Sequence, residues 1–158
     1  MKVAIITSDF YIGGGQRVVC ELAKHMDKQA ADIKIFCVGR RIDTKMACEA
    51  EEKADVVYFD ALGKNKIKNF VKVFSALLKY RPDIINAHLI GQLYAVPFGA
   101  IFRTPTIITV HSKPQKAFYE RLLFLVRWGL KHASFSLVAV SEENLKLVKE
   151  YFQCSTTG

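Results

Sequence analysis

No run of about 18 apolar residues occurs, so the sequence offers no helix able to span a membrane. The closest approach, Phe118 to Val140, is broken by Glu120, Arg121, Arg127, Lys131 and His132. A secretory leader is not expected either, because one lysine precedes a short apolar run that Ser8 and Asp9 end. No C-x-x-C pair exists among Cys20, Cys37, Cys48 and Cys154, which excludes a disulfide framework or a zinc ribbon and suits a reducing cytoplasm. Cys20 and Cys37 sit in apolar runs and read as small core residues. Acidic residues are few: 15 Asp and Glu face 23 Lys and Arg, a net charge of +8. That imbalance suits anionic partners such as nucleic acid, lipid headgroups or phosphorylated metabolites, or else marks an ordinary solvated surface.

What is present is a globular composition, 51% hydrophobic in 158 residues, enough for one domain with a substantial core. Short apolar runs alternate with helical patterns. The predicted strands are Val3–Thr7, Ile33–Val38, Val56–Phe59, Ile84–Ala87, Thr106–Val110 and Ser136–Val140. They are apolar almost throughout, as strands buried on both faces are. Strands separated by helices predict an α/β fold, a Rossmann-like three-layer sandwich on a mostly parallel sheet. Val18, Val19, Leu22, Ala23 and Met26 mark one helix, and Ile67, Phe70, Val71, Phe74, Leu77 and Leu78 a second that Pro82 stops. Further helices are predicted over Gln92–Phe102 and over Ala117–Leu130, the latter apolar nearly all round and therefore expected to be well buried. The last begins at Ser141, a natural N-cap, with Glu142 and Glu143 in its first turn. Gly39–Ala54 lacks clear periodicity and reads as a loop or a poorly packed helix.

The most informative stretch joins the first strand to its helix through Gly13, Gly14 and Gly15. A strand, a glycine loop and a helix start present free backbone N–H groups to an anion. The dinucleotide fingerprint needs a third glycine where Val18 stands, and a P-loop needs Gly-Lys-Ser/Thr where Gly15-Gln16-Arg17 stands. In a parallel sheet, ligands bind beyond the carboxyl ends of the strands. The polar residues expected there are Ser8 and Asp9, His88, then His111, Ser112 and Lys113, then Ser141 and Glu142. His111, at the mouth of the sheet, reads as ligand-facing, with a ring suited to hydrogen bonding near neutral pH. His88 stands open between a binding and a structural reading. Asp9 is either a base or a cap on backbone N–H groups. No Ser-His-Asp set and no metal constellation stands out, and no metal is expected.

Taken together these residues resemble the N-terminal domain of the retaining glycosyltransferases grouped as family 4, which have the GT-B architecture. The resemblance rests on four motifs in order: Gly14-Gly15-Gln16-Arg17-Val18-Val19, Pro82-Asp83-Ile84-Ile85-Asn86-Ala87-His88, Thr106-Ile107-Ile108-Thr109-Val110-His111-Ser112, and Leu137-Val138-Ala139-Val140-Ser141-Glu142. Asn86 departs from it, where histidine is frequent. The resemblance implies that the fold is one half of a GT-B enzyme and that this half mainly binds the acceptor, a glycan or a lipid-linked sugar. It implies that Gly14 and Gly15 approach the donor diphosphate or the acceptor, that His111 touches the transferred sugar at the catalytic centre, and that Ser141 and Glu142 line the cleft. The nucleotide-sugar serves as co-substrate, with no separate cofactor. It is held mostly by a second α/β domain or split subunit, without which this chain is expected to be inactive.

Lys64, Lys66, Lys68 and Lys72, beside Phe70 and Phe74, suggest peripheral contact with an anionic membrane at its inner face, against the plainer reading of a surface helix packed on the sheet. Two rival functions remain: an NADP-binding domain using Arg40 and Arg41, and a non-catalytic scaffold of the same fold. Nucleic-acid binding lacks any accompanying recognition motif and is not expected.

Overall fold

The computed structural model describes residues 1–62, 65–112, 120–132 and 134–152. Six parallel strands form one sheet: β1 (Lys2–Thr7), β2 (Asp32–Cys37), β3 (Asp55–Tyr58), β4 (Ile84–His88), β5 (Thr106–Val110) and β6 (Phe135–Ala139). Their order is β3-β2-β1-β4-β5-β6. The helices are α1 (Gly14–His25), α2 (Lys45–Lys53), α3 (Lys66–Tyr80), α4 (Gln92–Phe102), α5 (Glu120–His132) and α6 (Glu142–Phe152).

The side chains of β1 alternate between two buried layers, which is why its sequence is apolar throughout. Val3 and Ile5 pack with Val19 and Ala23 of α1 and Ala47 and Ala50 of α2. Ala4 and Ile6 face the other way, onto Val73 and Leu77 of α3 and Tyr94, Ala95 and Phe98 of α4. A third cluster joins Ile108 and Val110 to Val96, Val126, Val148 and Phe152 under the β5–β6 side. The result is the expected three-layer sandwich, with every strand boundary within one residue of its prediction.

Three expectations need correction. The Gly39–Ala54 segment is not loose. The Thr44 hydroxyl caps α2 by accepting from the Ala47 N–H at 3.2 Å, and Ala47 and Ala50 are wholly buried. A nine-residue helix with small apolar residues at i and i+3 buries a narrow stripe, too narrow to announce a period amid the surrounding charge. The strands are not all doubly buried. The edge strands β3 and β6 are half open, and Val138 is 46% exposed. Finally, α5 is not buried all round: Phe124 is 73% exposed while Val126 and Gly129 are covered. Residues 117–119 of that predicted helix, like Lys64, Lys113 and Cys154, lie outside the described residues.

The helix α3 is amphipathic in an unforeseen sense. Phe70 stacks on Tyr94 and Phe74 meets Phe98 and Phe102, so both aromatics point into the protein. Ile67, Val71 and Leu78 are the apolar side chains of α3 left in water.

A short 3₁₀ turn, Leu89–Gly91, connects β4 to α4. Gly91 is buried there, and a Cβ at this position would lie 2.5 Å from the Ile6 carbonyl oxygen. The obstacle is the backbone of the central strand, which cannot rotate aside as a side chain would. Gly91→Ala is therefore expected to lower stability by about 1–3 kcal/mol. Gly14→Ala, whose Cβ would meet nothing within 4 Å, is expected to lower it by less than about 0.5 kcal/mol. Urea unfolding of the two variants at near-neutral pH checks the contrast.

Candidate functional site

The chain leaves β1 toward one side of the sheet and, by way of β4, continues on the other. The switch point of the sheet therefore lies between β1 and β4, and the place where such sheets take ligands is the crevice beyond their carboxyl ends. The glycine loop follows β1, the 3₁₀ turn follows β4 and His111 follows β5. Gly14 and His111 thus emerge from the same edge with one strand between them, roughly 10 Å across the sheet at ordinary strand spacing.

The three glycines do different things, and none has a positive φ. Gly13 is the extended N-cap of α1, and its Cβ would collide with Oε1 of Gln16. Gly15 is buried, with room for a Cβ only at 3.0–3.2 Å from the Leu89 side chain. Gly14 alone of the three faces open space. Glycine is required here for close approach rather than for unusual torsions. The first turn of α1 has no side-chain cap and no acidic residue, so its leading N–H groups remain available to an anion. Asp9 braces the loop: its Oδ1 accepts from the Tyr11 N–H at 3.0 Å and from Gln16 Nε2 at 2.9 Å. The geometry favours the capping reading of Asp9 over the base.

Leu89, packed on Gly15, has φ 51°, a left-handed conformation that costs a bulky residue about 1–2 kcal/mol. The residue before it is His88, left open between a binding and a structural reading; its ring is wholly buried, which favours the structural one. Instead His88 Nδ1 lies 2.9 Å from Nε2 of His111, with ring centroids 5.2 Å apart. His111 is half-buried at the cleft, and Ser112 beside it is exposed. A continuous path of contacts thus links Gly15, Leu89, His88 and His111.

Burial, and secondarily the neighbouring His111 ring, push the His88 imidazole down to about 3; burial also lowers His111. Both rings are neutral at physiological pH. Beneath them, Thr109 Oγ1 donates to Asn86 Oδ1 at 3.2 Å and Gln92 Nε2 donates to the Thr109 carbonyl at 3.0 Å. Asn86, Thr109 and Gln92 form a polar layer that sequence reasoning missed. Its one legible signal was the run of polar residues where β4 and β5 end.

The other expected site residues lie farther out. Ser141 and Glu142 follow the edge strand β6 and are exposed; Ser141 Oγ accepts from the Asn144 N–H at 3.2 Å, as an N-cap should. Arg41, one of the two arginines of the NADP reading, pairs with Glu51 through Nε at 2.8 Å and Nη2 at 3.1 Å, which disfavours that reading. Cys20 and Cys37 are buried, as core residues should be. Cys37 Sγ approaches the Ser8 carbonyl at 3.7 Å, and burial pushes its thiol up to about 12.

The family model of Glycosyltransferase Family 4 matches residues 12–156, nearly the whole chain. The chain belongs to glycosyltransferase family 4. Among solved structures, the fold is similar to HepE from Anabaena, determined in complex with UDP and glucose, with a TM-score of 0.65 at 17% identity. That match covers 94% of this chain and 41% of HepE, so the chain spans about two fifths of that enzyme's length. Compared with curated proteins, the chain has no match. Within the family 4 fold seen here, no helix among the described residues is long and apolar enough to cross a membrane.

The buried imidazole makes a prediction about stability. In the unfolded chain His88 titrates near 6.5, whereas in the fold it resists protonation to about 3. The unfolded state therefore binds the proton first as pH falls. The contribution of His88 is complete above pH 6.5 and is lost progressively toward pH 3, at up to about 1.4 kcal/mol per pH unit. Urea midpoints measured across that window are expected to fall with pH in the native chain and to fall less steeply in His88→Phe. Equal slopes would show that His88 is not a buried neutral group.

Proposed function

We propose that this chain is the acceptor-side half of a retaining glycosyltransferase, moving a hexosyl group from a nucleotide-sugar to a glycan or lipid-linked acceptor in cell-surface polysaccharide or glycolipid synthesis. The observation that carries the reading is the placing of an uncapped helix N-terminus and a neutral, half-buried imidazole on one edge of the sheet, one strand apart. The first suits a phosphate, and the second suits a sugar hydroxyl held by hydrogen bonds. Membership in family 4 and the likeness to part of HepE support the same reaction class.

In this reading His111 is the catalytic-centre contact to the transferred sugar. Gly14 gives the donor diphosphate or the acceptor its approach, Ser112, Ser141 and Glu142 complete the rim, and Lys113 is added to them from the sequence alone. A second α/β domain, as a continuation of the chain or as a split subunit, holds the nucleotide-sugar and closes the cleft. Alone, the 158-residue chain turns over nothing.

The test is to incubate the chain with nucleotide-hexoses and acceptors, with and without the C-terminal α/β domain of a family 4 enzyme supplied in trans. Transfer is expected only in the combined sample, and His111→Ala is expected to reduce it roughly 100-fold. Robust turnover by the chain alone, or transfer indifferent to His111→Ala, would overturn the assignment.

The peripheral membrane contact is carried by α3. It holds Lys66, Lys68, Lys72 and Lys79 and no acidic residue, with Ile67, Val71 and Leu78 exposed on it and Ile101 and Phe102 exposed on neighbouring α4. Lysines beside exposed apolar side chains suit an anionic headgroup surface at the inner face of a membrane. Co-sedimentation with vesicles is expected to require anionic lipid, to weaken with salt and to fall in Ile67→Glu. Binding insensitive to lipid charge would remove the membrane from the proposal.

A further inference from the structure

The His88–His111 contact carries more than proximity. Two neutral imidazoles 2.9 Å apart share one proton between Nδ1 of His88 and Nε2 of His111, and two arrangements are open to them. In the first, His111 Nε2–H donates to His88 Nδ1. His88 must then carry its own proton on Nε2. That nitrogen is buried and has no partner among the described residues. Thr7 Oγ1 and Gln92 Oε1 are likewise buried without a hydrogen-bond partner, so neither accepts from it. In the second arrangement His88 Nδ1–H donates to His111 Nε2. His88 Nε2 is then a bare lone pair, which is tolerated far better in a protein interior than a stranded N–H.

We propose that His88 is a positioning residue that holds His111 as its Nδ1–H tautomer, so that His111 presents a neutral hydrogen-bond donor, not a base, to the ligand. The inference rests on the reading of His111 as a sugar contact and deepens it. The ring's Nε2 is occupied by His88, so the one ring nitrogen left for a ligand carries an N–H. The ligand atom it recognises is therefore an oxygen lone pair: a sugar hydroxyl or ring oxygen, or an oxygen of the diphosphate. The burial of His88 favours this role over a charged one, because a cation there would have to be desolvated. The strained Leu89 and the Gly15 contact hold the His88 backbone in place from the glycine-loop side.

Long-range proton–nitrogen NMR spectra of the nitrogen-15-labelled chain at neutral pH test this directly, with the His111 signals assigned by their loss in His111→Gln. The expected spectrum shows His111 protonated at Nδ1 by roughly tenfold over the other form, the preference one hydrogen bond confers. In His88→Phe that preference is expected to collapse. A wild-type spectrum with His111 protonated at Nε2 overturns the proposal, whether or not the variant folds. So does an unchanged Nδ1–H form in a folded His88→Phe. Neither readout depends on sugar transfer, so failure of the transferase reading and failure of this one are told apart: a correct tautomer without transfer sinks only the former, and transfer with the wrong tautomer sinks only the latter.

Discussion

Ala4, Ile5 and Ile6 are wholly removed from water in the middle of the sheet, and a strand buried on both faces has to be covered by helices on both faces. That requirement sends the chain one way after β1, through α1, and the other way after β4, through α4. The right-handed crossovers then place β1 and β4 side by side with their loops parting above them. The cleft is a consequence of this parting. Glycine loop, 3₁₀ turn and His111 are brought together because β1, β4 and β5 are neighbours, although they lie far apart along the chain.

Close packing at the cleft floor accounts for residues that would otherwise look arbitrary. Gly91 lets the turn after β4 lie against the Ile6 carbonyl, and Gly15 lets α1 lie against Leu89. At Gly91 a methyl group would meet rigid backbone, and at Gly15 it would press on the Leu89 side chain. The left-handed Leu89 sits between them, held there by its neighbours in spite of its own preference. A mobile floor would let the His88 ring wander, and a hydrogen bond to His111 needs both rings in register. The polar layer of Asn86, Thr109 and Gln92 rigidifies the same region from beneath.

The charge of the chain is distributed with less purpose at the site than on the flanks. Part of it is paired on the surface, as Arg41 with Glu51, Arg17 with Glu49 and Lys34 with Asp55. Lys72 donates from Nζ to the Phe59 carbonyl at 2.7 Å, so part of the basic helix α3 serves the fold. In the proposed reading, an anion at this end of the sheet would meet the uncapped N–H groups of α1 and a neutral ring.

Much of the architecture was legible along the chain. Continuous apolar runs such as Val3 to Ile6 and Thr106 to Val110 can satisfy their environment only inside a parallel sheet, and the glycine loop announced a tight strand-to-helix turn. The motifs likewise determined the family. Hydrophobic period could not tell an edge strand from a central one, so β6 and α5 were expected to be deeper than they are. It could not tell that Phe70 and Phe74 turn inward while Ile67 and Val71 remain in water, because all four share a broad apolar arc. Nor could any local pattern say that one histidine lies beneath the other. His88 ends one strand and His111 follows the next, and only the pairing of β4 with β5 buries the first and leaves the second half-buried. Local sequence determined which residues could build the site; long-range packing decided which of them reach it.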